Sequence, residues 1–175
     1  MKKIIETDRL IMRAFEEKDA EAVLEFGSHP DVIKYTGDKA ISKINEAHDL
    51  IKNVWFSDYE KYGYGRFAVV YKPENKVIGF SGLKNDTQLG FTDIGYRFLP
   101  EYWGKGIATE SCIPFLKWGF EELKIEQILG LAYPENGASC HILQKIGLKH
   151  FKTEPFPGEE KKCNWYRMRK EDYIM

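Results

Sequence analysis

The sequence predicts an α/β fold, a mixed central sheet of about seven strands with helices on both faces. Two observations carry that expectation. Short strand-like apolar runs alternate along the chain with longer runs whose apolar residues recur every three or four positions. Their order, β-α-α-β-β-β-α-β-α-β-β, interleaves helices with strands, as a sheet covered on both faces requires. At 175 residues, 43% hydrophobic and 30% charged, the chain suits one domain with a full core, expected to span 1–175.

Residues 4–15 open the chain as a strand, Leu10, Met12 and Ala14 alternating with Arg9, Ile11 and Arg13. Residues 18–28 form a short helix with Ala22, Val23 and Phe26 on one face, ended by Gly27-Ser28-His29-Pro30. A long amphipathic helix over 43–62 carries Ile44, Ala47, Leu50, Ile51, Val54 and Trp55, and Gly63 and Gly65 stop it. Strands 66–71 and 77–83 are joined by Lys72-Pro73-Glu74-Asn75-Lys76, a turn composition that makes a hairpin the simplest connection. The chain turns over 85–89, and 91–99 is the next strand. Helix 105–123 follows, with Pro114 inside it deleting one backbone bond and predicting a local kink. Residues 127–133 make a short strand ended by Pro134. Residues 136–145 make a helix with Gly147 as its C-cap. Strands 148–156 and 163–168 close the chain around Pro157-Gly158-Glu159-Glu160.

Composition excludes several classes of function. A net charge of −1 offers no basic field for nucleic acid. No apolar run approaches the ~18 residues of a membrane helix. The opening Met1-Lys2-Lys3-Ile4-Ile5-Glu6 meets an acidic residue too soon for a signal peptide. Cys112, Cys140 and Cys163 are odd in number without C-x-x-C spacing, and His29, His48, His141 and His150 show no metal spacing. Neither a disulfide framework nor a metal site is expected, and a reducing cytoplasm is the natural setting.

The most informative stretch is Tyr102-Trp103-Gly104-Lys105-Gly106-Ile107-Ala108-Thr109-Glu110, a glycine loop between a strand and a helix N-terminus. Glycines let the backbone approach a ligand, and the first helical N–H groups carry the positive end of the dipole, so phosphate binds well there. A mononucleotide P-loop needs G-x-x-x-x-G-K-[ST], but here the lysine lies between the glycines. A dinucleotide fingerprint would put its third glycine at Thr109 and should open the first βαβ unit, whereas this loop sits mid-chain. The pattern [R/Q]-x-x-G-x-[G/A] is met from Trp103 to Ala108, with Trp in its first position.

That loop resembles the pyrophosphate loop of the GCN5-related N-acetyltransferases, and the likeness to their RimJ/RimL-type branch runs well beyond it. Glu6-Thr7-Asp8-Arg9-Leu10-Ile11-Met12-Arg13 is similar to that branch's opening strand, and Gly79-Phe80-Ser81-Gly82-Leu83 to its third. Asp93-Ile94-Gly95-Tyr96, then Pro100-Glu101 and the loop, resemble its centre. Asn136-Gly137-Ala138-Ser139 and Lys145-Ile146-Gly147-Leu148 resemble the segment after its fifth strand. The resemblance covers about residues 7–169. It implies that family's fold, with a splayed cofactor slot between the fourth and fifth strands. It also implies transfer of an acetyl group from acetyl-CoA to a primary amine by direct attack on the thioester. The acceptor is expected to be a protein or peptide N-terminus or a small mono-amine, and the chain a monomer or homodimer. The alternative is a CoA-binding sensor or interaction module without transfer.

The same resemblance implies the site. The backbone of Tyr96, Arg97 and Phe98 pairs with the pantetheine amides, and Trp103, Gly104, Lys105, Gly106, Ile107, Ala108 and Thr109 hold the pyrophosphate. Asn136 and Ser139 lie against the pantetheine arm. The chemistry needs a route for the amine proton, a polarised carbonyl and a proton for the departing thiolate. Asp93, at the start of the central strand, is the candidate base. Glu110 or a water is the alternative, although the place of Glu110 in the first helical turn suits a dipole or structural role. Ser139 and Tyr133 are the candidate thiolate acids; Cys140 has no activating base and reads as a helix residue. The acceptor cleft is expected between the helix end with its turn, 55–65, and segment 156–162. There Asp58, Glu60, Glu159 and Glu160 nearly balance Lys61, Lys161 and Lys162, and Trp55, Phe56, Tyr59, Tyr62 and Tyr64 suit a modestly charged acceptor over a polycation, the alternative being that the aromatics of the helix end simply pack as helix core.

Overall fold

Phe80 and Ser81, neighbours in one central strand, point to opposite faces of the sheet and show how its layers are built. Phe80 meets the edges of Phe26 and Trp55 on the face covered by the N-terminal helices, with centroids 6.0 Å away in both cases. Ser81 Oγ lies 3.6 Å from Cys112 Sγ, on the helix that covers the other face. The structure, a computed structural model, describes residues 2–173. Among these described residues, one eight-stranded sheet runs in the order β1-β2-β3-β4-β5-β6-β8-β7. Its strands are β1 (Ile4–Glu6), β2 (Leu10–Arg13), β3 (Arg66–Tyr71), β4 (Lys76–Asp86), β5 (Phe91–Phe98), β6 (Gln127–Ala132), β7 (Lys149–Pro155) and β8 (Lys162–Arg169). The helices are α1 (Ala20–Ser28), α2 (Pro30–Ile33), α3 (Ile44–Asp49), α4 (Phe56–Tyr62), α5 (Ile107–Glu121) and α6 (Gly137–Lys145). A π-helical stretch, Leu50–Trp55, joins α3 to α4, so the expected long helix runs end to end.

The expected mixed sheet with helices on both faces is present, and the differences have local causes. The single strand expected over 4–15 is a hairpin, which accounts for eight strands where about seven were expected. Its turn closes through Thr7 N–H donating to the Leu10 carbonyl at 3.0 Å and Leu10 N–H donating to Thr7 Oγ1 at 3.2 Å. β4 extends to Asp86, into the expected turn, because residues 84–86 pair with 91–93 of β5. α5 starts at Ile107 rather than Lys105, since Gly106 takes φ +76° as its N-cap. The helix then runs unbroken through Pro114.

The main core runs through the sheet and both helix layers, with Phe26, Phe67, Phe115 and Phe120 all but fully buried, and a smaller cluster of Leu129, Cys163 and Trp165 packs apart from it. Burying such side chains stabilises by about 1.5–3 kcal/mol each. For the site, the decisive feature is a parallel pair that hardly pairs. β5 and β6 are bonded only at Thr92 with Ile128 and Asp93 with Leu129. Beyond Asp93 the strands part, and the gap lies between the strands expected to splay.

Candidate active site

β5 presents an open backbone edge to that gap. Phe98 stands opposite Gly79 of β4, and Leu99 N–H donates to the Ile78 carbonyl at 3.0 Å. This makes Phe98 and Gly79 a non-hydrogen-bonded pair, whose amide groups point away from each other. Tyr96 and Phe98 therefore turn their N–H and C=O groups into the gap, while those of Arg97 serve β4. One acceptor is already used, because the Trp103 indole Nε1–H donates to the Phe98 carbonyl at 2.7 Å. Trp103 thus ties the start of the glycine loop to the end of β5, with about half of its surface exposed.

The loop ends in an uncapped helix. Gly104 (φ +70°) and Gly106 (φ +76°) take left-handed conformations that favour glycine. No side chain caps the first N–H groups of α5. They face the same cleft as β5, a space of about 1020 Å³ lined by Tyr96, Arg97, Phe98, Trp103, Gly104, Gly106, Ile107, Ala108 and Thr109. Lys105 lies in the loop with its Nζ 5.8 Å from the Tyr102 ring centroid. Glu110, one turn on, points to the N-terminal hairpin. It accepts from Thr7 Oγ1 at 2.6 Å, Arg9 N–H at 3.0 Å and Arg9 Nε–H at 2.7 Å. Burial raises its carboxyl, but these bonds outweigh burial and hold it below the usual range.

α6 closes the gap from the β6 side. Asn136 is its N-cap, Oδ1 accepting Ser139 N–H at 3.2 Å. Ser139 Oγ lies 2.8 Å from the Tyr96 hydroxyl, and both residues line the cleft. Burial raises the Tyr96 hydroxyl far above the ordinary tyrosine range, with Cys112, Cys140 and Tyr166 nearby. Tyr133 is not among the residues that line the cleft, although its partner Glu159 is. Its hydroxyl donates to Glu159 Oε2 at 3.2 Å, and Lys161 Nζ sits 4.1 Å over its ring. Cys140 Sγ is 3.7 Å from the Tyr133 carbonyl and 3.6 Å from Asn164 Nδ2.

On the opposite face of β5 lie Asp93, Gly95 and Arg97. Asp93 Oδ2 accepts from Arg66 Nη2 at 2.8 Å, and Arg66 Nη1 donates to the Gly82 carbonyl at 2.5 Å. Arg97 Nη2 bonds Asp38 Oδ2 at 2.6 Å. Both guanidinium groups lie over the Phe80 ring, at 5.9 Å and 5.2 Å from its centroid. Sequence reasoning missed Arg66, Asp38 and Phe80. The only signal for Arg66 was a cation opening an otherwise apolar strand, too common to single it out.

Of the two expected cleft walls, segment 156–162 contributes Phe156 and Glu159, while the helix end 55–65 does not line the cleft. Trp55 is buried and stacked on Phe15 at 3.9 Å, and the Tyr59 hydroxyl is engaged with Phe15 N–H and the Arg66 carbonyl. The wall is formed instead by α2 and the residues after it, with Asp31, Lys34, Tyr35, Thr36 and Asp38, facing Phe156 and Glu159. Among the described residues, no group of three or more His, Cys, Asp or Glu is placed to hold a metal ion. Nor is any helix long and apolar enough to cross a membrane.

Comparisons with known proteins bear on this geometry. A family model described as "Acetyltransferase (GNAT) domain" matches residues 9–149. The uncharacterized N-acetyltransferase YnaD of Bacillus subtilis is 31% identical over 159 residues, 91% of this chain and 86% of that one. A spermidine N-acetyltransferase from Vibrio cholerae, solved with CoA and spermine, superposes at TM-score 0.76 over 95% of this chain and 98% of its own, at 18% identity. RimL, a ribosomal L7/L12 alpha-N-protein acetyltransferase solved with coenzyme A, superposes at TM-score 0.81 over the same shares, at 15% identity. At those identities the two structures speak for the fold.

Proposed function

Because the chain belongs to the GNAT acetyltransferase family, we propose that it moves the acetyl group of acetyl-CoA to a protein or peptide N-terminus or to a small mono-amine. The observation that best supports this reading is the meeting, in one cleft, of the open β5 edge with the uncapped N-terminus of α5. Tyr96 and Phe98 offer backbone groups to the pantetheine amides as an added strand would. The backbone N–H groups of residues 104–109 offer an anion site to the pyrophosphate, and Lys105 adds a cation. Asn136 sets the α6 N-terminus that presents Ser139.

The reaction moves one proton overall. A neutral amine attacks the thioester carbonyl, the C–S bond breaks with its electron pair left on sulfur, and the amine loses the proton that the thiolate gains. Ser139 serves the sulfur, since it lines the cleft with its hydroxyl bonded to another lining residue, Tyr96, while that of Tyr133, which does not line it, is held by Glu159. Asp93 serves the amine through Oδ1, directly or through water, because Arg66 occupies Oδ2. Glu110 has a structural role, both of its oxygens being bonded to the hairpin.

The lining favours an acceptor of modest charge. Asp31, Asp38, Asp86, Asp93, Glu135 and Glu159 face Lys34, Arg66, Lys84, Arg97 and Lys145, and two opposite pairs are already bonded to each other. A polycation would draw a strongly acidic cleft. Steady-state assays comparing peptides with N-terminal Ser or Ala, spermidine and an aminoglycoside test this. A polycation preferred by tenfold or more in kcat/KM, about 1.4 kcal/mol of discrimination, overturns the acceptor class. Cofactor binding without thiol release above the no-acceptor rate would mark a sensor instead.

A further inference from the structure

Across the gap where β5 and β6 no longer pair, one side-chain bridge links the two walls. The Tyr96 hydroxyl on β5 lies 2.8 Å from Ser139 Oγ on α6 and 3.2 Å from the Ser139 carbonyl. Helical serines usually bond a backbone group of their own helix. Here Ser139 Oγ bonds a residue 43 positions away, and Asn136 Oδ1 holds its backbone N–H.

Two hydroxyl protons serve these contacts, and they have two arrangements. In one, Ser139 donates to Tyr96 and Tyr96 donates to the Ser139 carbonyl. In the other, Tyr96 donates to Ser139 Oγ and the Ser139 proton turns into the cleft. Moving between them needs only rotation about two C–O bonds.

We propose that Tyr96 is a positioning residue for acetyl transfer: its hydroxyl holds Ser139 Oγ at the cleft and, by donating to it, directs the Ser139 O–H hydrogen bond toward the departing sulfur. The inference rests on the transferase reading above. When the C–S bond breaks, its electron pair stays on sulfur and Ser139 donates a hydrogen bond to the thiolate. The proton that sulfur finally takes up balances the one lost by the amine. Burial keeps Tyr96 protonated, so it orients and does not itself acidify. The other titratable groups facing it are Cys112, which burial pushes up to about 11, Cys140, and Tyr166, pushed up by burial and Cys140 to about 12.

Tyr96→Phe keeps the ring and removes the bridge. Thiol release at saturating acetyl-CoA, with the fastest amine of the panel or with water, should fall roughly tenfold, short of the 10²-fold loss typical of a missing positioned donor and expected for Ser139→Ala. Calorimetric affinity for acetyl-CoA should stay within about twofold of wild type, because the Tyr96 backbone is untouched. The double variant should be no slower than Ser139→Ala alone, since residues acting as one unit are not additive. A second readout needs no acceptor. The thiol of bound CoA, titrated by difference absorbance against desulfo-CoA, should ionise at lower pH than free CoA in the wild type. It should return to the free value in Ser139→Ala and part of the way in Tyr96→Phe. Wild-type turnover in Tyr96→Phe, or additive losses, overturns the proposal. So does a wild-type bound thiol that titrates like free CoA, a result that stands even if Tyr96→Phe does not fold. Absence of any CoA binding to the wild type would instead remove the transferase reading beneath it.

Discussion

Arg66 on β3 reaches past β4 to donate from Nη2 to Asp93 Oδ2 on β5 at 2.8 Å, with side chains only 11% and 21% exposed. A guanidinium this sheltered needs its counter-ion, because removing one partner leaves the other charge uncompensated. Asp93→Asn should therefore lower stability by about 1–3 kcal/mol, the scale of a lost charged hydrogen bond. Adding Arg66→Met should recover part of that loss. Urea denaturation of the two single variants and the double variant measures the coupling; strictly additive losses would show that the pair is not a unit.

Gly95 leaves room for that guanidinium. A Cβ at this position would lie 2.4 Å from Arg66 Nη2 and 2.6 Å from its Cζ. The flexible end of Arg66 can move, so Gly95→Ala should fold while displacing the group that orients Asp93. Misplacement by an ångström can cost about 10²-fold in rate, and kcat should fall on that order while acetyl-CoA affinity is largely kept. Equal losses in kcat and in calorimetric affinity would place the damage in the cofactor slot instead.

Gly106→Val attacks the loop itself. A β-branched residue at φ +76° carries about 1–3 kcal/mol of backbone strain, although only Arg9 Nη2, at 3.7 Å, lies near the added Cβ position. The first turn of α5 should shift and acetyl-CoA should bind at least tenfold more weakly, about 1.4 kcal/mol. Calorimetry on a variant with wild-type circular dichroism checks this; unchanged affinity would sink the phosphate assignment of residues 104–109.

Glu110 supplies a pH test. Its folded carboxyl is held below the ordinary range by Thr7 and Arg9 against the cost of burial. A depressed acid contributes stability that is present above its unfolded pKa and is lost as pH falls through the folded value. Glu110→Gln should thus be less stable than wild type near pH 7, by about 1–3 kcal/mol. The gap should narrow as the medium is acidified below the usual glutamate pKa of about 4.3. A gap independent of pH in thermal melts would mean that shape, not charge, is what Glu110 contributes.

Those variants probe features that differ in how legible they were. Periodicity located most of the helices, and the glycine loop was readable because its requirement is local: two left-handed glycines ahead of a helix N-terminus can only be written in consecutive residues. The hairpin at residues 4–13 was missed for the converse reason. Its turn has no glycine, proline or asparagine, and the acid that braces it, Glu110, is 103 positions from Thr7.

The amphipathic pattern of residues 43–62 likewise said which face turns inward without saying onto what. Trp55 and Tyr59 went to Phe15 and the Arg66 carbonyl rather than to a cleft wall. By itself, then, the sequence determined the α/β class, the loop and the identity of the strand beside it, all of which depend on neighbours in the chain. Only the tertiary structure decided the long-range side-chain partners: Arg66 with Asp93, Arg97 with Asp38, and Tyr96 with Ser139. A side chain's partner depends on the register of strands and helices distant in sequence, and the preferences of consecutive residues do not encode that distance.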